Sequence, residues 1–199
     1  MSVTRLVRVA VLVLCGAFAL ALRAQQASPP AQQPDPQVVL RTSAGNIRVE
    51  LYPAESPQTV ANFLAYVDAG FYNGTIFHRV IPNFMIQGGG FDRKMTEKPA
   101  HEPVANESRN RLHNERGTLA MAHTEEPDSA TAQFYINVRS NLRLDFDYIA
   151  RKPGYTVFGR VLEGMDVVDG ISLVPTHTAG GFDDVPVNPI VIEAVERVK

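Results

Sequence analysis

The sequence predicts a mainly β domain whose strands close into a barrel. Three observations carry this. Short β-branched and aromatic runs recur along the chain between turn-forming segments. Helical periodicity is confined to two stretches. The last run, Ile190–Val195, is apolar enough to pair with the first hairpin and leave no free edge.

Val38–Leu40 and Ile47–Leu51 flank Ser43-Ala44-Gly45-Asn46, a hairpin with Ile47, Val49 and Leu51 facing inward. Ser56 reads as a helix N-cap, followed by Pro57 in the first turn. Val60, Phe63, Leu64 and Val67 then form one apolar stripe, and Gly70 ends the helix. Phe77–Phe91 reads as a single curved strand in two parts, kinked at Pro82. Arg79 and Gln87 lie an even number of positions apart, which places both on one face if the kink is local. Gly88-Gly89-Gly90 allows a tight backbone passage. Asp92–Arg116 is polar and aperiodic, a long surface loop. Strands are expected at Gly117–His123, Ala132–Val138 and Tyr155–Val161, separated by loops over Thr124–Thr131 and Ser140–Pro153. In the second strand Gln133 and Tyr135 share one face, Phe134 and Ile136 the other. Met165–Ile171 is a short second helix.

The 199 residues, 45% hydrophobic, fit one folded domain at 37–199. Residues 1–24 read as a secretory signal peptide, with Arg5 and Arg8 before the apolar run Val9–Leu22 and small residues at Ala19, Ala21 and Ala24. That run is shorter than the roughly 20 residues of a membrane span. Leu14 is too large for the position before a lipidated Cys15, so lipoprotein anchoring is not expected. Residues 25–36, QQASPPAQQPDP, form a Pro/Gln-rich extended, disordered tether. The expected location is periplasmic or secreted. Losing residues 1–24 takes Lys+Arg from 19 to 16 against 21 acids, a charge of about −5. No polybasic patch stands out, which argues against nucleic acid and anionic membranes. The only Cys leaves with the signal, so the mature chain forms no disulfide and no thiolate metal site.

His78, His101, His113, His123 and His177 show no metal-binding spacing, and no metal or other cofactor is expected. His78 reads as making a structural hydrogen bond. No Lys-Ser/Thr follows the glycines, and Ser129 lacks a nucleophile-elbow context.

Three blocks, FHRVIPNFMIQGG, GTLAMAH…DSATAQFYINV and YTVFGRVLEGMDVVD, resemble the cyclophilins, peptidyl-prolyl cis-trans isomerases, in the form of their secreted bacterial branch. The likeness spans Val38 to Val195. It implies a closed eight-stranded antiparallel β-barrel capped by two α-helices, with a substrate groove on the outer face. By position it implies Arg79 as the catalytic cation and Phe84, Met85, Tyr135 and Leu144 as the proline pocket. Gln87 would bind substrate backbone, and Ala122, His123 and Gln133 would line the neighbouring groove. Tyr155, where the family often has His, belongs to the same site. Tyr135 stands where Phe is common, so its hydroxyl needs a partner. His123 stands where Asn is common, at a position that mostly offers its backbone. Arg143 replaces an aromatic ring, so weak cyclosporin binding is expected. The implied partners are proline-containing polypeptides, exported proteins whose folding it would assist, and a monomer is expected.

These residue types suit the reaction. Isomerising an X-Pro bond breaks partial double-bond character at a barrier of about 20 kcal/mol. Twisting turns the prolyl nitrogen into a hydrogen-bond acceptor. A rigid, permanently charged guanidinium aimed there stabilises the twisted amide more than either planar form. The resemblance implies catalytic roles for Arg79, Phe84 and Gln87. The alternative is a module that binds proline peptides without turning them over.

Overall fold

The computed structural model describes residues 34–198. The expected signal segment and most of the tether lie outside the described residues. Eight strands form the barrel: β1 (Gln37–Thr42), β2 (Gly45–Leu51), β3 (Thr75–Ile81), β4 (Met85–Asp92), β5 (Thr118–Met121), β6 (Phe134–Asn137), β7 (Val157–Glu163) and β10 (Ile190–Arg197). Their order around the barrel is β1-β10-β3-β4-β6-β5-β7-β2, back to β1, every pair antiparallel. The last strand does close on the first: Leu40 pairs with Val195. Alternation fills the interior. Leu40, Ile47, Val49, Leu51, Ile86, Leu119, Ile136 and Ile192 are all fully buried there.

Two helices cap this core. In α1 (Pro57–Asp68) the stripe Val60, Phe63, Leu64 and Val67 is buried as its spacing predicts. Phe63 meets Tyr72 and Phe158 with ring centroids 5.2 Å apart and Phe134 at 5.6 Å, geometries that add to area burial. In α2 (Met165–Ser172) Val168 and Ile171 join the same core. The helices sit at opposite ends of β2. Ser56, before α1, bonds to Val157 beside the Leu51 end, whereas Val167 crowds Gly45 at the start.

The N-cap differs from expectation. Ser56 is fully buried and makes no side-chain cap bond. Its hydroxyl donates to the Val157 carbonyl at 2.8 Å and accepts from Asn110 Nδ2 at 2.7 Å. Glu107 caps instead, accepting from the Gln58 and Thr59 amides at 3.2 and 2.9 Å, a favourable site for a carboxylate. The long loop before β5 therefore has a structural task that its polar composition concealed.

Phe77–Phe91 is a hairpin rather than one curved strand. β3 ends at Ile81, Pro82-Asn83-Phe84 make the turn, and β4 returns antiparallel. Asn83 takes φ 56°, a left-handed conformation that Asn tolerates. Arg79 and Gln87 do share a face, because they are directly paired across the two strands. The even spacing along one strand was not the cause. A second hairpin, β8 (Thr176–Ala179) with β9 (Phe182–Pro186), forms its own two-stranded sheet packed against β3 and was not expected.

Candidate active site

Cross-strand pairing sets one row of residues on the outer face of the barrel. Arg79 pairs with Gln87, Gln87 with Tyr135, and Tyr135 with Ala120. Met85, Ala120, Tyr135 and Val157 make an apolar cluster separate from the barrel core, with Phe84, Leu144, Ala122 and Tyr155 packed around it. A groove of about 450 Å³ runs over this cluster. All ten residues expected at the site line it: Arg79, Phe84, Met85, Gln87, Ala122, His123, Gln133, Tyr135, Leu144 and Tyr155. A groove of this size with an apolar floor and few polar groups is the usual form of a small-ligand site.

The polar groups are fixed by neighbours. Gln87 Nε2 donates to Gln133 Oε1 at 3.1 Å, so the two amides orient one another. Tyr135 is buried, and its hydroxyl finds the partner it needs, donating to Asn114 Oδ1 at 2.7 Å. Burial holds the phenol pKa well above its usual value, so it stays a donor. Asn114 also donates through Nδ2 to Asp145 Oδ1 at 2.9 Å, next to Leu144. Asn141 Nδ2 donates to the Phe84 carbonyl at 2.9 Å and to Asn137 Oδ1 at 2.7 Å. Three walls of the pocket, Phe84, Tyr135 and Leu144, are thus tied to one buried asparagine network. Arg143 stacks its guanidinium over Phe84, 5.1 Å from the ring centroid.

His123 does more than offer its backbone. Its ring stacks on Tyr155 at 4.2 Å, with Nδ1 2.6 Å from the Thr124 carbonyl and Nε2 3.2 Å from that of Gly154. Sequence reasoning missed four lining residues, His78, Phe91, Glu97 and Phe182. Neighbours on a regular strand face opposite ways, yet His78 and Arg79 both line the groove. The register shift between Phe77 and Arg79 is a β-bulge at His78, which re-aims its side chain. His78 packs 4.7 Å from Phe91 by ring centroids, and Phe91 5.0 Å from Phe182 of the second hairpin. The structural hydrogen bond expected of His78 is not made by Nδ1, which has no partner among the described residues. Burial, and then the charge of Arg79, hold its pKa down to about 4, so the ring is neutral near pH 7. No group of three or more His, Cys, Asp or Glu among the described residues could hold a metal.

The family model described as cyclophilin type peptidyl-prolyl cis-trans isomerase/CLD matches residues 37–197. The chain belongs to the cyclophilin family. This cyclophilin is an enzyme of the peptidyl-prolyl cis-trans isomerase class, as are its named relatives. It is 53% identical over 162 residues to peptidyl-prolyl cis-trans isomerase A of Dickeya dadantii, covering 81% of this chain and 84% of that one. It is 55% identical over 162 residues to a peptidyl-prolyl cis-trans isomerase of Streptomyces antibioticus, covering 80% and 96%. Among solved structures, a Cryptosporidium parvum cyclophilin superposes with TM-score 0.70 at 26% identity, covering 83% of this chain and 98% of that one. A second crystal structure of that protein, in the presence of the dipeptide Ala-Pro, gives 0.69 at 27% identity, covering 82% and 99%.

Proposed function

We propose that this cyclophilin isomerises X-Pro bonds in exported polypeptides outside the cytoplasm, and that Arg79 is its catalytic donor. The observation that carries the reading is the pairing of Arg79 with Gln87 at the edge of the apolar pocket. The pocket of Phe84, Met85, Tyr135 and Leu144 would hold the Pro ring still while the preceding carbonyl swings. Gln87, oriented by Gln133, would hold substrate backbone, and Ala122, His123 and Tyr155 would line the path of the flanking residues. As the amide twists, the guanidinium would donate to the prolyl nitrogen, an interaction absent from both planar states. Every step is non-covalent. Export is supported by the signal-like composition of residues 1–24 and the linker-like composition of residues 25–36.

Two measurements test this reading. The exported protein should isomerise a short X-Pro peptide, with an intact mass lacking roughly the first 21 to 24 residues. A mature product that keeps Met1 would exclude cleavage, and a lipid adduct on Cys15 would replace it with an anchored form.

A further inference from the structure

The second hairpin brings one carboxylate to the groove. Asp184 lies in β9 with φ 62°, in the left-handed region. Apart from glycine, Asp and Asn are the residues that occupy this conformation most readily. Its Oδ2 lies 3.9 Å from Arg79 Nε. That distance is too long for a hydrogen bond and short enough for charge attraction. The close approach is made at Nε and not at a terminal NH2 group. Arg79 is otherwise a long, half-exposed side chain, 44% accessible, with several rotamers to choose from.

We infer that Asp184 is a positioning residue for Arg79: its carboxylate holds the Nε edge and thereby presents the terminal nitrogens to the reacting amide. The inference rests on Arg79 being the donor proposed above. At 40% accessibility for Asp184, the pair is one that solvent screens, so the coupling should be about two- to fivefold in rate and not decades.

The test uses the exported protein and a proline peptide, with kcat and KM measured for wild type, Asp184→Asn, Arg79→Ala and the double variant. Asn keeps the size of the side chain and tolerates the positive φ, so the hairpin should persist. Asp184→Asn should lower kcat about two- to fivefold at low salt with KM little changed. The difference should vanish near 1 M salt, where the screening length is about 3 Å. In the Arg79→Ala background the same change should do nothing. If Arg79→Ala is crippled while Asp184→Asn matches or exceeds wild type, Asp184 does not position it and the donor reading stands. If Asp184→Asn slows both backgrounds equally, the residue acts elsewhere and the inference is overturned. If Arg79→Ala stays active, the donor reading fails and this one goes with it.

Discussion

Asn114 should matter more to the proline pocket than the tyrosine it serves. It is fully buried and lies beneath the pocket. Its Oδ1 accepts from the Tyr135 hydroxyl at 2.7 Å and from Asn137 Nδ2 at 3.2 Å, while its Nδ2 donates to Asp145 at 2.9 Å. Tyr135→Phe removes one donor and leaves Oδ1 with the other, so the loss is that of an ordinary hydrogen bond, about 1 kcal/mol. The ring stays, and turnover should remain within about twofold. Asn114→Ala strands a buried phenol, costing roughly 1–3 kcal/mol, and removes a charge-assisted bond to Asp145 worth a further 1.5–3 or so. Asn137 Nδ2 keeps Thr118 Oγ1 at 2.9 Å and adds little to the cost. The sum is roughly 2.5–6 kcal/mol. For a domain of this size a melt shifts about 2–4 °C per kcal/mol. Tyr135→Phe should therefore lower Tm by about 2–4 °C and Asn114→Ala by roughly 5–24 °C. Peptide affinity should also fall in Asn114→Ala, because Tyr135 and Leu144 lose their common support. Thermal melts beside peptide titrations measure both effects. Equal destabilisation by the two substitutions would refute the network account.

Three further outcomes follow from named contacts. The unfolded chain protonates His78 below about 6.5, and the folded protein resists until about 4. Stability is therefore complete above pH 6.5 and falls by about 3 kcal/mol between 6.5 and 4; urea midpoints across that range should slope, and His78→Phe should flatten the slope. A Cβ at Gly90 would stand 2.5 Å from the Gln133 side chain, which can move, so Gly90→Ala should fold but break the Gln87–Gln133 bond and weaken peptide binding about fivefold by titration. Cyclosporin should bind weakly, and Arg143→Trp should tighten it about ten- to hundredfold by competition; nanomolar inhibition of the wild type would contradict the role given to Arg143.

Much of this architecture is written in short-range pattern. The stripe from Val60 to Val67 and the alternation from Gln133 to Ile136 marked which residues would face the barrel core. The groove residues were reached through the resemblance to cyclophilins, and the fold brings all ten together. What the sequence hid depends on long-range placement. Thr176–Pro186 lacks an apolar alternating run, so its Gly180-Gly181 turn did not read as a hairpin, and Phe182 and Asp184 were lost with it. The bulge that turns His78 into the groove has no local signature. Ser56 had the composition of a cap, but its hydroxyl is held by Val157 and Asn110, both distant in sequence.

The central claim is that the Arg79 guanidinium acts on the twisted amide and hardly at all on the resting peptide. Turnover and dissociation constant for one X-Pro peptide, measured on Arg79→Ala and Arg79→Lys beside a thermal melt, test it most directly. A charged donor in a partly desolvated site is worth about 3–4 kcal/mol, so Arg79→Ala should lose two to three decades in turnover, with affinity little changed and an unaltered melt. Arg79→Lys keeps the charge without the fork and should recover only part of the rate. An Arg79→Ala protein that melts like wild type and keeps most of its turnover would contradict the account.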